Sequence, residues 1–313
     1  MLGFIVRRVA GALPTAFITL VLVFFIARVL PGDPALAILG DSASEAALVA
    51  LREKLGLNRP LWEQFLAYMG DIVRLELGRS MVTGRPVMEE ITHALPYTLE
   101  LTTAAIFVGV FLGVPMGVWA ALQRNGPADY LTRAVSLVGL SFPPFFLGIC
   151  LLLLLAIAFP IFPVIGADSA PTLKARLAGL VLPALTLGII FMAFVARSTR
   201  SAMLEVIPEI YVRTARAKGI PELRVLLRHT LRNALLPIIT VVGLYFGILM
   251  GNSVVTEIVF TRPGLGKMIV GALNSRDYVT LQGLTLVYCF IVIFVNLVTD
   301  ILYGLADPRM KVS

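Results

Sequence analysis

The residues of this 313-residue chain that could do covalent or metal chemistry are few and scattered. The histidines, His93 and His229, and the cysteines, Cys150 and Cys289, show no spacing that ligates a metal or pairs a nucleophile with a base. No Ser-His-Asp set emerges either. The stretch "RPGLGKM" (262–268) ends in Gly-Lys but lacks the first glycine and the Ser/Thr of a phosphate-cradling loop. The sequence therefore offers no catalytic residues, no metal site and no nucleotide site, and any ATP the protein uses is bound by another chain.

What remains is charge placed among apolar residues. "YVRTARAKGIPELRVLLRHTLRNALLP" (211–237) carries six Arg or Lys against one acid. Arg224, Arg228 and Arg232 recur every four residues beside a stripe of Leu223, Leu227 and Leu231, the pattern of an amphipathic helix with a basic face. Upstream, Pro208 breaks a helix, a short piece follows, and Gly219 supplies a stop. Three readings compete: an anchor against anionic lipid, a surface helix, or a short helix that docks into a cytoplasmic partner. Two further polar sets stand in apolar surroundings: Asn252 and Thr256 with Glu257, and Asn296 with Asp300. Charged groups at membrane depth face a bundle interior or a cavity, so these either line a pathway or tie helices together.

The elements that must position these residues follow from composition. Hydrophobic residues make up 58% of the chain and charged ones 14%, with a mean hydropathy of +0.91; soluble domains carry about 25% charged residues. Apolar blocks at 9–30, 101–122, 135–159, 177–196, 235–257 and 281–303 are each long enough to cross a bilayer. The expected class is an all-α polytopic membrane protein with six transmembrane helices in one domain, 1–313. The first block is too long for a signal-peptide core and is followed by "LPGDPA" rather than a small-x-small cleavage site, so it is read as retained. The net charge of +7 reports topology rather than nucleic-acid binding. Threading the N-terminus inside places 14 basic residues in cytoplasmic segments and 11 outside, six of the latter in the long stretch 31–99. Long loops weigh little in this rule, and the result is N-in, C-in.

Stretch 31–99 then faces outward and is expected to fold. A capping box pairs Ser42 with Glu45 and the helix stops at Gly56; a second helix starts near Pro60 and aligns Leu61, Phe65 and Tyr68. Its nine acids outnumber its six bases, and it serves either as a cap on the helix ends or as a contact for an outer partner. Pro115, Pro143, Pro144 and Pro183 are expected to kink their helices. Gly243, Gly247 and Gly251 form a doubled GxxxG for close helix approach, and the two cysteines are expected to be buried free thiols.

"YVRTARAKG" followed by "RHTLRNALLP" resembles the cytoplasmic loop of ABC-importer membrane subunits, in the form found in dipeptide, oligopeptide and nickel permeases. Other stretches match the same subfamily in order: "RRVAGALPTAFITLVLVFFIARVLPGDPA", "LGLNRPLWEQF", "LGRSMVTGRPV", "LPYTLEL", "SFPPFFLGI", "PGLGKMIVGALNSRDY" and "LYGLADPRMK". The match covers nearly the whole chain. The broader importer pattern has Glu-Ala-Ala, three residues, then Gly; here Arg213, Thr214 and Ala215 fill the first three places, so the glutamate is missing.

The resemblance implies a type I importer permease fold that spans the bacterial inner membrane. It implies a homologous second permease subunit, two ATPase subunits that bind ATP and Mg, and a periplasmic or lipid-anchored binding protein that delivers the solute. The chain itself then needs no cofactor. It makes 197–234 the coupling loop, with Tyr211, Arg213, Thr214, Ala215, Arg216, Ala217, Lys218 and Gly219 at the ATPase contact and Ala215 on the small face that enters a groove. The solute expected first is a short peptide, with nickel or glutathione as alternatives. An ion-driven secondary transporter is disfavoured, because no deep acid pair and no inverted repeat of broken helices is evident.

Topology is directly testable. Cysteines introduced at Ser44 and Thr83 are expected to react with a membrane-impermeant thiol reagent in intact spheroplasts, and one at Glu222 is not. Labelling at 222 from outside overturns the orientation.

Overall fold

The computed structural model describes residues 2–29, 35, 39, 43–54, 56–163 and 172–306. Ser42 of the expected capping box, Arg309 and Lys311 lie outside these residues. Apart from an isolated pairing of Arg79 with Pro86, the regular structure described is helical. In chain order it comprises α1 (Leu2–Val29), α2 (Glu45–Lys54), α3 (Leu61–Val73), α4 (Val87–Leu122), α5 (Pro127–Ser141), α6 (Pro144–Ala158), α7 (Leu173–Val206), α8 (Ile210–Ala217), α9 (Glu222–Val259), α10 (Leu265–Asn274) and α11 (Tyr278–Ala306).

Five of these, α1, α4, α7, α9 and α11, are long and apolar enough to cross a membrane. The block at 135–159, expected to be one helix, is instead divided: α5 and α6 meet at 99°. Phe142 and Pro143 each precede a proline, whose ring disfavours helical backbone in the residue before it. Both adopt extended conformations (φ −95, ψ 131 and φ −59, ψ 143). Pro144 then starts α6, where its missing N–H leaves no bond unmade. Pro115 and Pro183 sit inside continuous helices. The α4 helix begins at Val87, so its first turns fall within the stretch read as an outer loop.

The α7 helix is the hub. Of its apolar window 61% is buried, against 17% for α1 and 11% for α11, which leaves those two helices with broad apolar surface for lipid or a partner. Leu101 and Ala105 of α4, Leu187, Phe191 and Val195 of α7, and Ile238 and Leu249 of α9 form one core cluster. Its closest seam is made by glycines that the sequence reading passed over. On α4, Gly109, Gly113 and Gly117 recur every four residues against α7. A Cβ at Gly113 would stand 2.8 Å from the Met192 carbonyl oxygen, and one at Gly117 would stand 2.5 Å from that of Ala196. The expected motif on α9 is only partly used. Gly243 abuts Thr299, Gly247 is in ordinary contact with Val292, and Gly251 has open space beside it.

On the α3 side, Phe65 and Tyr68 pack on Phe24 of α1, with ring centroids 5.3 and 5.5 Å apart. Two residues of the expected face of α3 thus find a partner, but the third, Leu61, is exposed, as are Trp62, Leu66 and Val73. The amide of Ala47 is capped by the Ser44 hydroxyl at 3.3 Å. Cys150, expected to be buried, is exposed, and Cys289 is half-buried.

Bulk at the α4–α7 seam meets backbone, which cannot move aside as a side chain does. Gly113→Val is expected to cost at least the 1–3 kcal/mol typical of overpacking (about that range), and Gly251→Ala to be near neutral. Detergent thermostability of the purified complex checks this, and equal melting of the two variants contradicts it.

Candidate functional site

The basic stretch folds into a short helix strapped to a long one. The α7 helix ends at Val206, and Pro208, which lacks an N–H, stands just before α8. Val212 and Ala215 of α8 are buried with Val225 of α9, and Val206 and Ile220 close the cluster. Three residues separate Val212 from Ala215, so they share one face of α8. The opposite face is open: Ile210 is 75% exposed, Tyr211 is 41% exposed, and Arg213, Thr214, Arg216, Ala217 and Lys218 are all exposed. Ala215, expected to enter a partner's groove, is therefore turned inward. Its small side chain lets α8 lie close to its own α9.

Gly219 terminates α8 with φ +73, in the left-handed region that glycine enters without a Cβ penalty. Its amide donates to the Arg216 carbonyl at 2.9 Å and the Ile220 amide donates to that of Ala215 at 3.3 Å. These are the two bonds of a Schellman cap, with Ile220 packed on the buried cluster as that motif prefers. A Cβ at Gly219 meets nothing within 4 Å, so backbone conformation alone selects glycine here.

Polar ties fix the same geometry. Arg216 grips Glu222 across the glycine turn with its Nε and Nη2, the shortest bond being 2.7 Å. Their hydrogen bonding pushes the Arg216 pKa up and the Glu222 pKa down, which favours the charged form of both. Asn233 Nδ2 donates to the Tyr211 hydroxyl at 2.7 Å, and Arg213 Nε donates to the Pro208 carbonyl at 3.1 Å.

The start of α9 differs from the expected regular amphipathic helix. Val225–Leu231 is wound as a π-helix. Its wider turn buries Val225 and Thr230, five apart, and Thr230 Oγ1 donates to the Val225 carbonyl at 3.3 Å. Of the expected leucine stripe, Leu223 and Leu227 are exposed, at 68% and 53%, beside exposed Arg224, Arg228 and Arg232, and Leu231 is half-buried.

The two polar membrane sets lie in different places and are not brought together. Glu257 is fully buried. It accepts from Thr98 Oγ1 of α4 at 2.7 Å, from Ser253 Oγ at 3.3 Å, and from the Lys267 amide at the start of α10 at 3.1 Å. The carboxylate thus satisfies an orphan amide of a helix N-terminus and binds α4, α9 and α10 together. Thr256 is also buried, its hydroxyl donating to the carbonyl of half-buried Asn252 at 3.2 Å. The tie reading therefore holds for Glu257. At the other end, Asp300 pairs with Arg8 of α1 at 3.0 Å, and Asn296 and Asp300 help line a hollow of about 360 Å³ with Arg7 and Arg8.

Two clusters escaped the sequence reading. Near α10, Glu100 of α4 is held between Arg176 of α7 and buried Arg262, and both guanidiniums lie over the Tyr97 ring at 5.7 and 5.8 Å. Near the basic stretch, buried Asp129 is gripped by Arg133 and Arg200. The i, i+4 spacing of Asp129 and Arg133 was a usable signal; Arg200 was not, because its partner is set by tertiary packing.

A helical bundle without a nucleotide-binding motif, carrying a short capped helix on an exposed loop, belongs to a known class. The family model for "Binding-protein-dependent transport system inner membrane component" matches residues 113–312, and the corresponding N-terminal model matches 1–102. The chain belongs to the membrane permease subunits of binding-protein-dependent ABC importers, in the peptide, nickel and glutathione family. Such a subunit transports, and separate ATPase subunits hydrolyse the ATP. The chain is 41% identical to the glutathione transport system permease protein GsiC of Escherichia coli O6:H1 over 311 residues, 99% of both chains. It is 40% identical to that of strain K12, again covering 99% of each. Inward-facing structures of the MetNI methionine ABC transporter share the fold at 20% identity, with TM-scores of 0.57 and 0.59, covering 70% of this chain and 97% of that one. The protein is accordingly a multi-pass protein of the bacterial inner membrane.

The Glu257 tie makes a separable claim. Glu257→Ala leaves the O–H of buried Thr98, whose oxygen still accepts from the Leu265 amide, and the Lys267 amide without acceptors, each costing about 1–3 kcal/mol. This variant is expected to lower thermostability markedly while Asn252→Ala leaves it nearly unchanged. Comparable melting of both would assign Glu257 a different role.

Proposed function

We propose that this subunit forms half of the membrane pathway for glutathione or a closely similar short peptide. Support for glutathione, over other peptides or nickel, comes from relatives named for it that align along 99% of their length. The distribution of basic residues supports N- and C-termini inside the cell, with the bent α5–α6 pair as the sixth crossing and 31–99 outside. The subunit pairs with a homologous second permease and with two ATPase subunits that hold ATP and Mg. It receives solute from a periplasmic or lipid-anchored binding protein, lies in lipid, and binds no nucleic acid.

The observation that carries the coupling role is the outer face of α8. Residues 197–234 form the coupling loop, and Ile210, Tyr211, Arg213, Thr214, Ala217 and Lys218 present the surface an ATPase groove receives. Arg216 and Gly219 fix its angle to α9. Because α8 contains no acid and two arginines, with Lys218 at its C-cap, the receiving groove is expected to carry carboxylates. ATP closure biases the bundle only through differential affinity for its states, and the solute-loaded binding protein favours closure in return. Asn252, Thr256, Asn296 and Asp300 remain proposed helix ties or pathway residues.

Left-handed backbone costs a residue with a Cβ about 1–2 kcal/mol, and asparagine tolerates it better than most. Gly219→Val is therefore expected to insert in the membrane, lose about tenfold of its co-purifying ATPase, and fail to import labelled glutathione. Gly219→Asn is expected to retain most of both. Normal assembly and import by Gly219→Val overturns the coupling role. An assembled complex that imports other peptides but not glutathione overturns only the substrate.

A further inference from the structure

We propose that the hollow between α5 and α7, on the coupling-loop side of the bundle, binds the phosphate of an anionic phospholipid. The hollow measures about 360 Å³, and its walls bring together Arg133, Arg197, Arg200, Thr132 and Ser136, with Leu137 and Leu140 at the edge. One buried acid organises it. Asp129 accepts from Nε and Nη2 of Arg133 at 3.0 and 2.7 Å, from Nε and Nη2 of Arg200 at 2.6 and 2.8 Å, and from the Asn125 amide at 3.0 Å.

This arrangement does more than neutralise charge. Asp129 has no exposed surface and its oxygens are occupied by these donors, so it orients two guanidiniums whose remaining N–H groups are free to serve another acceptor. Arg197 adds a third cation. Its guanidinium lies 5.6 Å from the Phe194 ring centroid, and among the described residues no carboxylate pairs with it. Three guanidiniums thus share one carboxylate, leaving two positive charges uncompensated. The Thr132 hydroxyl, on a residue 3% exposed, has no hydrogen-bond partner, although buried hydroxyls are normally paired. A tetrahedral anion with several acceptor oxygens meets both needs, and planar guanidinium forks favour phosphate.

The surroundings select a lipid over a soluble phosphate. Leu137 and Val138 are 66% and 58% exposed on α5, continuing the hollow's edge as apolar surface on which acyl chains can lie. Basic pockets between membrane helices on the cytoplasmic side are the setting in which anionic headgroups bind. The inference does not rest on which solute is carried.

The test uses the complete transporter, purified and exposed to mixed phosphatidylglycerol and phosphatidylcholine, with bound lipid read by native mass spectrometry. The unaltered complex is expected to retain phosphatidylglycerol preferentially. Arg197→Gln should lower that retention about fivefold, the contribution of one base near an anionic headgroup. Thr132→Val should lower it as well without reducing thermostability, because the hydroxyl it removes has no protein partner. Arg276→Gln, which alters an exposed base at the opposite end of the bundle, should change nothing. Retention that is unaltered in both Arg197→Gln and Thr132→Val overturns the proposal. So does equal retention of phosphatidylcholine, or displacement of the lipid by millimolar inorganic phosphate or glutathione.

Discussion

The contact of Val212 and Ala215 with Val225 is the constraint on which the proposed coupling role depends. A helix of eight residues is too short to be stable alone in water. It also cannot pass a displacement onward unless it is fixed to something longer. Burying one face of α8 against the first turn of α9 meets both needs. The Gly219 cap sets the direction in which the chain leaves, and the Arg216–Glu222 pair spans the same turn. That exposed ion pair adds little stability by itself, and its use is positional.

From α9 the connection continues into the bundle through packing rather than through a line of charges. Ile238 and Leu249 of α9 share a cluster with Phe191 and Val195 of α7, and α7 in turn lies backbone-close to the glycines of α4. Interiors packed at such density shift as bodies instead of deforming continuously. At the far end, Glu257 and Glu100 lock α4, α7, α9 and α10 to one another. The α11 helix joins this body through Thr299 against Gly243 and through Leu284 in one cluster with Val87 and Leu265, α1 is tied to α11 at Arg8–Asp300, and both helices keep broad apolar surface exposed.

Much of this was legible in the sequence where the physics is local. Apolar length gave the membrane helices, Pro208 and Gly219 gave the bounds of α8, and the order of helix, break, short helix, turn and helix is the one observed. Facing was harder to read. A small residue such as Ala215 suits either a partner's groove or the chain's own neighbour, and sequence does not distinguish them. The Leu223, Leu227 and Leu231 stripe assumed 3.6 residues per turn, whereas the π-helical winding buries residues five apart. The tandem prolines were read as a kink but produce a right-angle break, because two successive pre-proline residues are both driven out of the helical region. The glycine seam on α4 had the same four-residue spacing as the one singled out on α9; only the packing shows which is used.

If α8 carries the coupling, α8 and the start of α9 move as one body. Spin labels at Thr214 and Leu227, both exposed, report the separation of the two helices in the assembled transporter. One narrow distance distribution is expected, the same in the nucleotide-free and ATP-bound states, while a pair from Thr214 to Arg85 changes between them. A second population for the Thr214–Leu227 pair that appears with ATP would show the short helix hinging on its own, and would contradict the account.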